Sequence, residues 1–215
     1  HRVHRRQRQM CIRDSQMKSF MERCNKLIHS YKPNIPIYYN GITNIKRTNN
    51  LRYNLFDFNT KQDLEDLPTT WDGYDIFPFR SKFFAADGKQ IVAMSGKFHS
   101  AWGEFGGFKH KDALLYEAAS MVAFGANVNI GDQLHPSGKM DLETYRNIGH
   151  AFDYVEKIEE YGVGGKHISN VGYYYPFNVR SGEGIARMLL ENQINFNVIN
   201  SCLLYTSPSP RDPSI

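Results

Sequence analysis

The sequence predicts an α/β protein built on parallel strands, and three observations carry that reading. Short apolar runs alternate with helix-length segments along most of the chain. About four of these strands are each followed by a crossover. Residues suited to binding or acid–base chemistry gather just after the strands, where barrels and doubly wound sheets alike place their sites.

Met17, Phe20, Met21, Cys24, Leu27 and Ile28 fall at helical spacing, so Met17 to Ser30 reads as an amphipathic helix stopped by Pro33. Ile35 to Gly41 reads as a short buried strand ending at a turn. A polar, Asn-rich passage follows, and Asp63 to Pro68 reads as a strand end running into a loop. Phe77 to Ala86 is expected to be helical, and Asp87-Gly88 turns it into the strand Ile91 to Gly96. After a long loop, Asp112 is expected to cap a helix over Ala113 to Phe124, with Gly125 ending it. Asn127 to Gly131 is the next strand, followed by a helix over Leu142 to Glu160. Strands this short and apolar are expected to be covered on both faces.

At Gly162-Val163-Gly164-Gly165 the texture changes. A glycine linker leads to a strand (His167 to Tyr175), a helix (Gly182 to Gln193) and a strand-like segment (Phe196 to Ile199), the opening βαβ of a second domain. No G-x-G-x-x-G loop opens a helix, which lowers a dinucleotide-binding reading.

The two ends are expected to be non-native. Met10 to Asp14 can be encoded ATG TGT ATA AGA GAC, and Cys202 to Ser207 can be encoded TGT CTC TTA TAC ACA TCT. These strings are reverse complements over their shared length, as translated sequencing adapters would be. Residues 1–15 and 201–215 are therefore set aside, and the natural N-terminus is expected upstream. Formal charge is +4, from 26 Lys+Arg and 22 Asp+Glu. The ends hold six arginines and two aspartates, so twenty charges of each sign remain. A neutral core gives no support for nucleic-acid binding. Only Cys24 is left among the cysteines, which permits no internal disulfide and no cysteine zinc cluster. No apolar run approaches the roughly 20 residues needed to span a bilayer.

The strand-end residues are Asn40 after the first strand, Asp63 and Glu65 at the second, His99, Trp102 and Glu104 after the third, and Asp132, Gln133 and His135 after the fourth. The loops Gly96-Lys97-Phe98-His99-Ser100-Ala101-Trp102-Gly103-Glu104-Phe105-Gly106-Gly107 and Gly131-Asp132-Gln133-Leu134-His135-Pro136 carry a family likeness. With Leu64 to Thr69 and Trp71 to Asp75, they resemble a group of glycoside hydrolases that couple a (β/α)₈ barrel to a β-galactosidase-type trimerisation domain. That group is related to the α-L-fucosidases and, more distantly, to family 42 β-galactosidases.

The resemblance covers about residues 17–200. It implies that 16–161 form the C-terminal half of a (β/α)₈ TIM barrel and 162–200 the start of a flavodoxin-like trimerisation domain. It further implies an exo-acting, α-L-fucosidase-like hydrolase with no cofactor, a glycoside or oligosaccharide substrate, and a homo-oligomer, a trimer, in the full-length protein. Family 42 enzymes carry a nucleophilic glutamate in a Met-Glu context on the seventh strand, whereas here Met94 is followed by Ser95. Fucosidase relatives place an aspartate nucleophile on an earlier strand, which would lie upstream of Gln16.

Glycoside hydrolysis needs two carboxylates flanking the bond, and Glu65, Glu104 and Asp132 are the candidates. Glu104, in a Gly- and aromatic-rich loop, is expected to have its pKa raised toward general-acid range by an apolar wall. Asp132 is expected to be buried and to bind a sugar hydroxyl or cap its loop. His99, Gln133 and His135 are candidate donors to sugar hydroxyls, and Trp102 and Trp71 candidate stacking platforms. No metal ligand set has recognisable spacing. Two rivals stand beside this reading: a non-catalytic carbohydrate-binding barrel that has lost one carboxylate, and a flavodoxin-like ligand-binding protein throughout. Half a barrel would expose strand edges, so the chain alone is expected to aggregate.

Overall fold

The computed structural model describes residues 2–43, 45, 55–71, 73–175 and 179–199. The Asn-rich passage at 46–54, Asp72 and the tail 201–215 lie outside the described residues.

Helix α1 (Arg2–Tyr31) is longer than the periodicity predicts, continuing through the N-terminal segment set aside above. Its apolar stripe meets little of the chain, since Met17, Phe20, Leu27 and Ile28 are exposed and Met21 alone among the stripe is buried. The helix is pinned instead by polar contacts: Asn25 Nδ2 donates to Phe58 O (2.7 Å), and the Tyr39 hydroxyl donates to Asn25 Oδ1 (2.7 Å). The strand expected at Ile35 to Gly41 does not join a sheet. Pro36 has no N–H to offer a ladder, and the segment makes one backbone bond, Thr60 N donating to Ile37 O (2.8 Å), with side chains taking its other N–H groups: Ile37 N donates to Thr60 Oγ1 (2.7 Å) and Tyr39 N to Asn59 Oδ1 (2.9 Å).

Three strands therefore form the main sheet among the described residues: β1 (Gln62–Glu65), β2 (Ile91–Gly96) and β3 (Asn127–Gly131). They are parallel and lie in sequence order, Glu65 beside Met94 and Gly96 beside Gly131. Between them run α2 (Ile76–Ala85) and α3 (Lys111–Ala123), and α4 (Leu142–Gly162) follows β3. Pro78 is tolerated because it sits in the first turn of α2. Asp112 does not cap α3. The cap is His110, whose Nδ1 accepts from Asp112 N (3.3 Å), placing Asp112 inside the first turn. Gly125 ends α3 at φ +80°, where a side chain would be strained and would also collide with Gly165 O, 2.8 Å from the Cβ position. The glycine linker docks there, with Gly164 N donating to Gly125 O (2.9 Å).

The sheet's two faces differ sharply. Leu64, Ile91, Ala93, Val128 and Ile130 point to one side, where α2, α3 and α4 cover them with Phe77, Phe84, Leu114, Met121 and Ala151. The opposite side presents Asp63, Glu65, Val92, Met94, Asn127 and Asn129. The expectation of strands apolar on both faces fails here. β3 alternates amide and aliphatic residues because only one of its faces packs on helices.

The second sheet pairs β4 (Gly172–Tyr174) with β5 (Asn197–Ile199) in parallel, joined by α5 (Val179–Glu191). β4 is shorter than expected because the chain before it is tied by side chains, Ser169 Oγ donating to Asn195 O (2.6 Å). Tyr173 and Tyr175 are core residues: the Tyr175 ring meets Phe79 edge-on at 5.4 Å and Phe83 at 5.8 Å. Lys82 of α2 adds a hydrogen bond from Nζ to Asn195 Oδ1 (2.9 Å).

Candidate functional site

All three main strands end on one side of the molecule, and Trp102 ties the ends together. Its indole lies across the backbone of Gly96 and Gly131. A methyl at Gly131 would sit 2.9 Å from Trp102 Cζ3, and one at Gly96 3.4 Å from Cη2. From there Nε1 donates to Glu65 Oε1 (2.7 Å), so one side chain spans β3, β2 and β1. Gly131→Ala is expected to expel the indole and destabilise the protein by about 1–3 kcal/mol, the usual cost of overpacking. A lowered thermal midpoint with a red-shifted tryptophan emission would report it; unchanged emission would refute the contact.

Below Trp102 two acids share the open face. Asp63 is 3% exposed, and its Oδ1 has no hydrogen-bond partner among the described residues. Burial pushes its carboxyl up to about 6, the charge of Glu65 adding to the shift and Arg80 opposing it. Arg80 braces the strand end, donating to Glu65 O (2.7 Å) and Thr43 O (2.7 Å). Because folding raises this pKa, the native state binds the proton more tightly. The stability that the Asp63 proton contributes is fully present below about pH 4 and is lost as pH rises through about 6, by up to about 3 kcal/mol. Asp63→Asn is expected to flatten that fall in denaturation midpoints between pH 4 and 7.

Glu104 behaves opposite to expectation. Its Oε2 accepts from Ser100 N (2.6 Å), and hydrogen bonds from Ser100 hold the carboxyl below its ordinary range, with His99 helping to hold it there. No apolar wall covers it, and Glu104 closes its own loop. Asp132 is half-buried rather than buried; it accepts from Gln133 N (2.8 Å) and bonds to the Tyr145 hydroxyl, raising the tyrosine pKa behind the effect of burial. His135 and Gln133 are exposed beside it. The His135 ring meets Phe105 edge-on at 5.1 Å, and its Nδ1 lies 2.8 Å from Ser137 Oγ. His99 is exposed and Trp71 largely so, the latter held in a turn by its N–H to Leu67 O (2.8 Å). The structure thus gathers Glu65 with Trp102, and Asp132 with Gln133 and His135, while among the described residues no hydrogen bond or ring contact joins Trp71 to either group.

Two features escape the sequence reading. Lys97, at the end of β2, is 4% exposed, its ammonium 4.8 Å from the ring centre of Phe98, 5.8 Å from Phe105 and 5.7 Å from Phe108. Each ring contributes about 0.5–2 kcal/mol, against a desolvation cost of several kcal/mol for a buried ion. Lys97 lines a cavity of ≈ 280 Å³ with Phe105, Asp132, His135 and Tyr145. Three phenylalanines clustered around one lysine were its only sequence signal. The second feature lies behind the sheet. Lys109 Nζ donates to Glu117 Oε2 (2.9 Å) and Ser95 Oγ (3.2 Å), Ser95 donates to the same carboxylate, and the Tyr74 hydroxyl reaches Oε1 (3.3 Å). Burial and the charge of Glu117 push Tyr74 up to about 12. Pairing between residues eight apart, one on a loop and one on a helix, leaves no periodic trace.

Among the described residues no group of three or more His, Cys, Asp or Glu is placed to hold a metal ion, and no helix is long and apolar enough to cross a membrane. Parallel strands with helices on one face, and acids, amides and an indole at their C-terminal ends, define a mixed α/β protein with a strand-end site. In fold and sequence it is similar to a solved glycosidase structure, the alpha-L-fucosidase isoenzyme 2 from Paenibacillus thiaminolyticus, at 35% identity and a TM-score of 0.75. The likeness covers 85% of this chain and 29% of that one, so the chain spans less than a third of the fucosidase's length. Neither the protein-family models nor the curated proteins compared with the chain match it.

Proposed function

We propose that the chain is part of a glycoside hydrolase, an exo-acting enzyme of the α-L-fucosidase kind working through carboxylate acid–base catalysis. The observation that carries this reading is the 35% identity and 0.75 TM-score shared with the fucosidase. In this reading residues 16–161 are the C-terminal half of a (β/α)₈ barrel. Consecutive strand order with every covering helix on one face supports it, since a doubly wound sheet reverses its order and places helices on both faces. The polar face of Asp63, Glu65, Asn127 and Asn129 would then look into the barrel. Residues 162–200 begin a trimerisation domain, for which the parallel βαβ unit is the supporting observation, and in this reading the full-length protein is a homotrimer. Residues 1–15 and 201–215 are adapter-derived.

Glu65 is the strongest catalytic candidate among Glu65, Glu104 and Asp132. It stands at a strand end, half-buried, with its carboxylate oriented by the Trp102 indole. As general acid it would protonate the departing glycosidic oxygen, and the nucleophile would come from the part of the barrel preceding this chain. Trp102, Trp71, His99, Gln133 and His135 remain the proposed sugar contacts. One observation favours a second reading, a sugar-binding barrel without turnover. Ser95 occupies the place of the strand-seven glutamate, and its hydroxyl points away from the open face to Glu117.

The experiment is hydrolysis of aryl glycosides, headed by aryl α-L-fucoside, by the full-length protein. Turnover of the fucoside supports the enzyme, whereas sugar binding with no glycoside turned over would establish the second reading instead.

A further inference from the structure

Lys97 stands apart from the other buried lysines among the described residues. Lys109 has Glu117 and Ser95, and Lys82 has Asn195. Among the described residues nothing accepts a hydrogen bond from Lys97 Nζ; the ammonium meets aromatic faces and the ≈ 280 Å³ cavity it lines. The two carboxylates on that cavity are already engaged, Asp132 by Gln133 N and Tyr145, and Asp141 by Glu143 N (3.1 Å). Lys139 lines the cavity as well, so two cations face two carboxylates that neutral donors hold, and Lys97 is the buried cation whose charged group has no hydrogen bond.

We propose that this cavity is a subsite for an anionic sugar residue, with the Lys97 ammonium as the counter-charge to a carboxylate or sulfate group. The volume lies near the lower bound of small-molecule sites, roughly 300 Å³, which suits one pyranose rather than a longer chain. The rest of the lining matches a sugar's needs. The Asp132 carboxylate keeps lone pairs beyond its bonds to Gln133 N and Tyr145 and can accept from a hydroxyl, and the Phe105 ring offers an apolar surface to a ring face. A low-dielectric setting strengthens the ion–ion contact relative to the same contact at the surface. As a substrate subsite the proposal rests on the glycosidase reading; as an anion site it stands without it.

The test is calorimetric titration of the full-length protein with glucuronate, inorganic sulfate and glucose. Wild type, Lys97→Met and Lys97→Arg are compared. Wild type is expected to bind glucuronate or sulfate roughly tenfold or more tightly than glucose, the scale of one charge-assisted hydrogen bond. Lys97→Met loses that preference, and Lys97→Arg retains part of it. Binding of glucuronate without sulfate assigns a uronic acid, and strong sulfate binding assigns a sulfated sugar. Lys97→Met places a thioether among phenyl rings and is expected to keep the wild-type melting midpoint. If it fails to fold, wild type decides alone, because a Lys97 contact must weaken as salt rises while glucose binding does not. Equal affinity for glucuronate and glucose with no sulfate binding, or an unaltered preference in folded Lys97→Met, overturns the proposal. Absence of fucoside turnover with the acid preference intact would remove the glycosidase reading and leave this one standing.

Discussion

Glu117→Ala is expected to reduce hydrogen-exchange protection of the β2 and α3 amides by roughly two to four orders of magnitude, a destabilisation of about 3–5 kcal/mol. The reason is asymmetry. Lys109 and Glu117 are 1% and 5% exposed, and removing the acid leaves an ammonium in the interior with only the Ser95 hydroxyl to receive it. The Tyr74 hydroxyl and the Ser95 hydroxyl lose their acceptor at the same time. Replacing both charges, Lys109→Met with Glu117→Leu, is expected to recover most of the loss, because a buried ion pair exchanged for apolar groups of similar volume is close to neutral. Exchange measured in the full-length protein separates the two outcomes. Equal loss in the single and double variants would mean that packing around α3, not charge, holds the sheet.

Glu65→Gln is expected to lower kcat on the aryl fucoside by roughly 10²–10⁴-fold, the range associated with loss of a general acid. Glutamine keeps the shape and can still accept from the Trp102 indole, so the fold is expected to survive and the defect to fall on chemistry. Glu104→Gln is expected to act differently. Its carboxylate binds Ser100 N and is held ionised, a poor state for donating a proton and a good one for closing a loop. That change should appear in KM and loop order more than in kcat. A kcat collapse in Glu104→Gln with Glu65→Gln unaffected would reverse the assignment. The shape of the pH profile adds a second check: in Asp63→Asn the neighbour of Glu65 no longer titrates near pH 6, so any acid limb that Asp63 contributes should move.

Much of the architecture was legible in residue order. The strands Ile91 to Gly96 and Asn127 to Gly131 fall where the apolar runs place them, bounded by Gly88, Gly125 and Gly131, because turns and helix ends demand those residues locally. Gly96 and Gly131 read only as strand ends, and the close approach of Trp102 to their backbone emerges in the tertiary structure. The strand read at Ile35 to Gly41 failed for a non-local reason. Its apolar character is genuine, but a strand exists only where another backbone offers a ladder, and here a single backbone bond from Thr60 N is joined by the side chains of Asn59 and Thr60. Glu104 failed similarly, since a bond closed to Ser100 N is invisible in composition.

The sequence by itself determined the alternation of strand and helix, the positions of the turns, and the placing of acids, histidines and tryptophans after the strands. Those features depend on local propensity and on periodicities of two and about 3.6 residues. Folding in three dimensions settled which sheet face is polar, that Glu65 rather than Glu104 is presented at a strand end under the indole, and that Lys97 and Lys109 are buried with such different company. Charge burial and partner choice depend on what distant segments bring within a few ångströms, and no pattern along the chain encodes that distance.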